Sequence, residues 1–509
     1  MSKTPMLTRA VSAVRKLFSP AGKAQTRRFH AARVDHTTAN WLTLESSINQ
    51  ELQSDLDRLR TRGRDLRHNN DYAAKFCRMC GDNIIGPSGI RLQAKVIDQG
   101  GKQDRGANNA IEAAWKRWGT VCDVSGRQHF RDFCSSLVES LPADGEFLVR
   151  VVTGPDAQNE FNFALQRLDV DRIDTTYNTT LGGNTVIMGV ELNAYRRPVA
   201  LHIFEGHPND GQRTSRRLVR IPAEELIHGF KVTQADQVRG FPWMAPGMLS
   251  LHHLGGFGLA ALLAAEHGAN HYGFFTTPDG LAPNIGTQDE NQQTIMTSQP
   301  GVYDTLPTGV GFQPHESKYP NEVFGPFVKT TLQRIASGWG VAYHGLANDL
   351  EGVNFSSIRS GTIEERDRWS AEQEWFIAAF MERIYPLWMR SALLSGAIKL
   401  ENGSTLPGAK FDKFLAHEWQ PRRWDWVDPK KDMEAKIMGV RAGILAPQDI
   451  AASMGYDFED TLIAIAEANK SAQALGVKLP AYDAAPGSMP ASDQDPEDAP
   501  SASTKKPKK

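Results

Sequence analysis

Three clusters of side chains in the 509-residue chain have the types and spacing that chemistry uses. Cys77 and Cys80 form a Cys-x-x-Cys, and Cys122 and Cys134 could complete a zinc site with them. The second pair is separated by eleven residues, however, and the first lies on an apolar helical pattern with no turn glycine between its members. That favours four buried thiols acting as small hydrophobes. Glu266, His267 and His271 put two imidazoles one helical turn apart, but no third ligand stands at a characteristic spacing, so a polar helix face is the favoured account. Asp169, Asp171 and Asp174 echo a metal nuclease. They directly follow a strand pattern, and a turn after Leu168 explains them more simply. The chain contains no Gly-x-x-x-x-Gly-Lys-Ser/Thr loop, no His-Glu-x-x-His and no Gly-x-Ser-x-Gly. Chemistry is not where the information lies.

The elements that would position these groups form a mixed α+β chain. Leu52, Leu56 and Leu59 mark a helix beside the run Arg58, Arg60, Arg62, Arg64 and Arg67. Asn70 or Asp71 caps a second helix, Tyr72–Cys80, with Gly81 expected to end it. Ile90, Leu92, Ala94 and Val96 alternate with polar residues as a half-buried strand. Helices are expected around Ile111–Trp118 and Phe130–Leu141. Strands are expected at Glu146–Thr153, Phe161–Val170, Val186–Leu192, Val199–Phe204 and Leu218–Ile221. After Pro242-Trp243 a long helix, Pro246 to about Tyr272, is rich in Gly and Ala. Each helical glycine costs about 1 kcal/mol against alanine, so the composition makes sense where another surface approaches closely. Residues 276–322 are Pro-rich with room only for short strands. A helix Phe324–Trp339, an irregular polar segment Gly345–Gly361 and a long helix from Thr362 to about Leu394 follow. Thr362 and Glu365 have capping-box spacing, and Pro386 is expected to bend that helix. Short helices separated by Gly443, Pro447 and Gly455 occupy 429–475.

At a net charge of -2 with 23% charged residues, no global basicity advertises nucleic acid. Local placement of charge still leaves a DNA path open. Residues 1–35 are basic, a nucleic-acid or membrane arm or simply a solvated terminus. From about Pro480 the chain lacks the apolar content to order itself. With four cysteines and no secretory pattern, synthesis in a reducing cytosol is expected. No apolar stretch reaches the roughly 20 residues that cross a bilayer, so a soluble protein without a membrane partner is expected. The competing function classes are a nuclease or protease, which needs a metal at an acid or His cluster, and a non-enzymatic structural protein.

Several segments, taken in order, resemble lambda-type tailed-phage portal proteins. They are Arg64-Asp-Leu-Arg-His-Asn-Asn-Asp-Tyr-Ala-Ala74, Gly86, Gly89-Ile-Arg-Leu-Gln93, Trp115-Lys-Arg-Trp-Gly119 and Cys122-Asp-Val. Asp144-Gly-Glu146, Gln237-Val-Arg-Gly-Phe-Pro-Trp243, Asn354-Phe-Ser-Ser-Ile-Arg-Ser-Gly361 with Glu364-Glu-Arg366, Trp426-Val-Asp-Pro429 and Gly443 continue the likeness, which spans roughly 40–475.

The resemblance implies a non-enzymatic, cofactor-free ring subunit, dodecameric, at the capsid vertex of the virion. Its implied regions are a basic N-terminal arm (1–40), an α+β wing (41–245), a first stem helix (246–275), a clip (276–322) and a second stem helix (323–344). A tunnel loop (345–361), a long helix returning to the wing (362–428), crown helices (429–479) and a disordered tail (480–509) complete it. The implied partners are the terminase large subunit, the major capsid protein or scaffold, a neck or head-completion protein, and double-stranded DNA bound without sequence specificity. Candidate channel-facing residues are Asn348, Asn354, Ser356, Ser357 and Arg359, then Lys329 and Arg334. Arg359 could equally bond Glu364, Glu365 or a neighbouring subunit, and Lys329 and Arg334 could be solvated or paired. Gly255, Gly256, Ala260 and Ala264 are the candidates for close packing between subunits.

Overall fold

The computed structural model describes residues 45–210, 217–270, 273–276, 287–288, 294–295, 309–314, 322–351, 355–424, 429–454, 456 and 458–477. The N-terminal arm, the tail, Asn354 and most of the Pro-rich insert lie outside these, as do the side chains of His267 and His271.

The chain is α+β. Its first helix, Ile48–Asn69, opens on Ser47, whose hydroxyl accepts from the Gln50 amide. Leu52 and Leu56 are buried, and so is Arg60, the one arginine of its run that turns fully inward. Asn70 caps Asp71–Cys80 by accepting from the amides of Tyr72 and Ala73. Gly81 does not end that helix. It keeps right-handed geometry, and a Cβ there would lie 2.8–2.9 Å from Glu139 and Ser135, so it serves close approach to the helix Phe130–Asp144. One wide turn, Gly81–Ile85, continues to Gly86 at φ +77°, where the chain leaves the helix.

Two antiparallel sheets follow. The first has the order Phe163–Leu168, Glu146–Thr153, Leu226–Phe230. The second has Thr179–Leu181, Asn184–Ile187, Val190–Leu192, Pro198–Phe204 and Leu218–Pro222 in sequence order. The run Val186–Leu192 is therefore not one strand. Ile187 pairs with Val190 across Met188 and Gly189, whose φ values of +46° and +79° are those of a two-residue type I′ hairpin. The Leu226–Phe230 strand carries Gly229 beneath the Phe147 ring, where a Cβ would lie 2.1 Å from a ring carbon.

The main core joins the helices Asp71–Cys80, Arg105–Gly119 and Phe130–Asp144 to the long helix after residue 355. Trp115 and Trp118, one turn apart, pack with Phe130, Tyr385 and Trp388. The Trp118 indole donates to the Phe163 carbonyl at 2.8 Å.

Met248–Asn270 and Phe324–Trp339 form the helical pair beyond this body, held by Phe257 against Phe324 and Phe327 at centroid distances of 5.4 and 5.2 Å. Trp339 anchors the pair, stacked on Phe76 at 4.8 Å and donating to the Met244 carbonyl at 3.2 Å. Within the first of these helices, Met248–Glu266 is long and apolar enough to cross a bilayer by length and composition, although Ser250, His252 and His253 interrupt its apolar run.

The long helix starts at Phe355 and not at Thr362. Gly361 and Glu365 face the short helix Tyr343–Ala347: a Cβ at Gly361 would meet His344 at 3.8 Å, and one at Gly345 would meet Glu365 at 3.8 Å. That packing carries the helix through a glycine and past the capping-box spacing. The departure from α geometry is the wide turn Ile377–Met381, ahead of Pro386, and the helix ends at Leu394. Three helices, Pro429–Arg441, Pro447–Ser453 and Phe458–Ala474, follow.

Candidate functional site

The cysteine cluster and the aspartate cluster are structural, and the Glu266, His267 and His271 cluster lies partly outside the described residues. All four cysteines are buried and free; burial pushes the thiols of Cys77 and Cys122 up to about 12 and raises those of Cys80 and Cys134 well above the ordinary thiol range. A thiol kept protonated is neither a nucleophile nor a ready metal ligand. Ellman's reagent is expected to react with none of them in the native protein and with all four in denaturant. One fast-reacting native thiol would refute this.

Asp169 precedes, and Asp171 lies within, a single turn, Val170–Arg172, capped by the Asp169 carboxylate, which accepts from the Asp171 amide at 2.9 Å. Asp174 caps its own turn by accepting from the Thr176 amide. Asp169 and Asp171 come together with His207. The space is taken by the Arg64 guanidinium, 3.0 Å from Asp169 and 2.5 Å from Asp171, which also donates to Asp144 at 2.6 Å.

Behind that pair lies a fully buried ion cluster that sequence reasoning missed. Glu146 accepts from Arg60, from Arg239 at 2.6 and 2.9 Å, from the Gly240 amide at 2.7 Å, and contacts His228 at 2.9 Å. Arg239 also donates to the Met188 carbonyl at 3.0 Å. One carboxylate thus ties the first helix, both sheets and the Gln237–Trp243 segment together. Burial alone would raise the Glu146 pKa, but Arg239, Arg60 and His228 outweigh it and hold it well below the usual carboxylate range. Gly145, at φ +80°, and Gly240 let the two backbones meet, since a Cβ at Gly145 would lie 2.0 Å from the Phe241 carbonyl carbon. The signals were present in the motifs Asp144-Gly-Glu146 and Arg239-Gly240, without their partners.

The segment singled out as channel-facing is seated between the helices Asp71–Cys80 and Phe324–Trp339. Asn348 is exposed, at φ +54°, and its side-chain oxygen accepts from Lys75. Lys329 lies 3.0 Å from Asp349 and 5.7 Å from the centre of the Tyr343 ring. Asp349 further accepts from the Tyr343 hydroxyl at 2.8 Å and the Glu351 amide at 2.9 Å. The Glu351 amide, Tyr343 and Lys329 lower its pKa to about 2. Burial and the neighbouring Asp349 carboxylate push the Tyr343 phenol up to about 12. Ser356, Ser357 and Arg359 sit on the first turns of a helix and not in a loop. Arg359 is half-buried and engaged, whereas Arg334 is exposed on its helix. Lys75, Tyr343 and Asp349 were missed because their partners lie on separate elements.

On the helix Met248–Asn270 the small residues face outward. Gly255, Gly256 and Ala260 are exposed and Ala264 is half-buried. Among the described residues, a Cβ at Gly256 or Gly258 would meet nothing within 4 Å. Leu249, Leu259 and Leu262 are 68%, 59% and 66% exposed on the same helix.

The family model for phage portal protein, lambda family, matches residues 35–373. A probable portal protein of Halomonas phage phiHAP-1 is 35% identical over 466 residues, covering 89% of this chain and 88% of that protein. Portal protein B of Escherichia phage lambda is 22% identical over 488 residues, with 88% and 90% covered. The portal protein of Escherichia phage N15 is 21% identical over 490 residues, with 87% and 90% covered. Among solved structures, the neck of an empty gene transfer agent particle aligns with TM-score 0.43 at 15% identity, over 79% of this chain and 93% of that one. The neck of the native particle gives 0.42 at 14% identity, with the same coverage. The chain belongs to the lambda family of phage portal proteins, a structural and not an enzymatic family.

Proposed function

We propose that copies of this chain close into a dodecameric ring at the capsid vertex, through which double-stranded DNA is packaged and later ejected. On this reading residues 41–245 are the wing, and the helices within 246–275 and 323–344 are the stem around the axis. The insert 276–322 is the clip that docks the terminase large subunit and later a neck or head-completion protein. Residues 345–361 border the channel, 362–428 return to the wing, and 429–479 form the crown. The major capsid protein or scaffold meets the outer surface.

The observation that carries this reading is the helix Met248–Asn270, on which Gly256 and Gly258 have no described neighbour where a Cβ would stand, and Leu249, Leu259 and Leu262 remain largely exposed. A helix so built is poorly satisfied in one copy. Burying a leucine contributes about 1.5–3 kcal/mol, and glycine permits the close backbone approach that a crowded axis demands. A channel for a sliding polyanion also needs few cationic contacts, because each one adds counterion release and grip. The pairing of Lys329 with Asp349 suits that demand.

The nuclease alternative is disfavoured because Arg64 already neutralises Asp169 and Asp171. Electron microscopy of the purified full-length protein is expected to show rings with an open centre. A species that stays monomeric under all assembly conditions would sink the reading.

A further inference from the structure

Two adjacent residues, Asn348 and Asp349, each hold a lysine from a different helix. Asn348 accepts from Lys75 through a neutral amide and leaves its charge in place, whereas Asp349 meets Lys329 with a full negative charge at 3.0 Å. Asp349 is itself fixed by the Tyr343 hydroxyl and the Glu351 amide, so its charge stays at that position even when the lysine moves. The ring of Tyr343 also lies beneath the Lys329 ammonium. A partly exposed ion pair of this kind adds little to stability, so holding the fold together is a weak reason for it. Its larger consequence is electrostatic. In a symmetric ring a lone lysine at this level would become a cationic collar, and a lysine with its own carboxylate becomes a neutral one.

We propose that Asp349 is a charge-setting residue of the DNA path: it cancels Lys329, so that passing duplex DNA is not gripped there. The inference rests on the reading that the segment around residue 348 borders the channel. It concerns Asp349 and Lys329 and needs no direct contact between Asp349 and DNA.

The test uses assembled rings of the full chain and a fluorescently labelled linear duplex, with binding followed across a salt series. The variants are Asp349→Asn, Lys329→Glu and Asp349→Asn with Lys329→Met. Asparagine keeps an acceptor for the Tyr343 hydroxyl and the Glu351 amide. Asp349→Ser supplies a second neutral variant should the first fail to assemble. Removing the carboxylate is expected to tighten binding and steepen its salt dependence. The affinity ratio between 50 and 200 mM salt should grow by about threefold for each additional phosphate engaged. The double variant should return to wild-type behaviour, and Lys329→Glu should weaken binding.

If Lys329→Glu weakens binding but neither neutral variant at position 349 changes it, the lysine is near DNA and Asp349 does not set its effect, which overturns the proposal. If no substitution at either position alters binding, the segment does not border the path, and the channel reading falls with the proposal.

Discussion

Glu146→Gln is expected to lower the stability of the subunit by about 3–5 kcal/mol, the usual cost of removing one partner from a buried ion pair. The side chain keeps its shape, but Arg60 and Arg239, both fully buried, lose their shared counter-charge. Against a typical total of about 5–15 kcal/mol for a domain, that loss shifts the denaturant midpoint far enough to measure in urea. The effect has a signature in pH. Because the folded Glu146 pKa lies below the unfolded one, its contribution is complete above the ordinary glutamate value. It drains away as pH falls toward the folded value. The wild type should therefore lose stability steeply in acid, and the Gln variant, already deprived of this contribution, should show a shallower acid limb. Equal acid slopes in the two proteins would show that Glu146 is not the group that titrates.

The same cluster explains how much of the fold could be read from sequence. Helices announced by local periodicity were legible, such as Phe324–Trp339, and so was the small-residue helix, because those signals repeat within a few residues. Elements decided by distant partners were not. Arg60 sits within a run of arginines that reads as a solvated face, and only Glu146, 86 residues away, turns it inward. The strand Leu226–Phe230 is short and contains a glycine, and it reads as a loop until Phe147 is laid across Gly229. The hairpin at Met188-Gly189 lacks the Asn-Gly signature of its turn type. At the candidate site, local signals misled as well: Thr362 and Glu365 have the spacing of a helix start, yet also that of one face of a helix already under way. The Lys329–Asp349 pair joins the end of a short helix to the middle of a long one, and no spacing rule anticipates it.

Gly256→Leu is expected to abolish ring formation while leaving the subunit folded and slightly more stable. Among the described residues the position is open, since a Cβ would meet no atom within 4 Å and a side chain can leave the backbone there without a clash at its first carbon. Leucine is also the better helix former, by about 1 kcal/mol, which should raise the denaturation midpoint of the isolated subunit. Ala260→Leu, one turn further along the exposed face, should likewise block the ring but without a rise in midpoint, since alanine is already the best helix former. Damage to folding would lower stability and assembly together. Damage confined to a contact between copies separates them, with a normal circular dichroism spectrum, an unchanged or raised midpoint, and a sedimentation profile that lacks the ring species. If the leucine variants assemble as readily as the wild type, the open glycine face does not lie at a close contact between subunits. The exposed Leu259 and Leu262 would then have to be buried by a different arrangement of the ring.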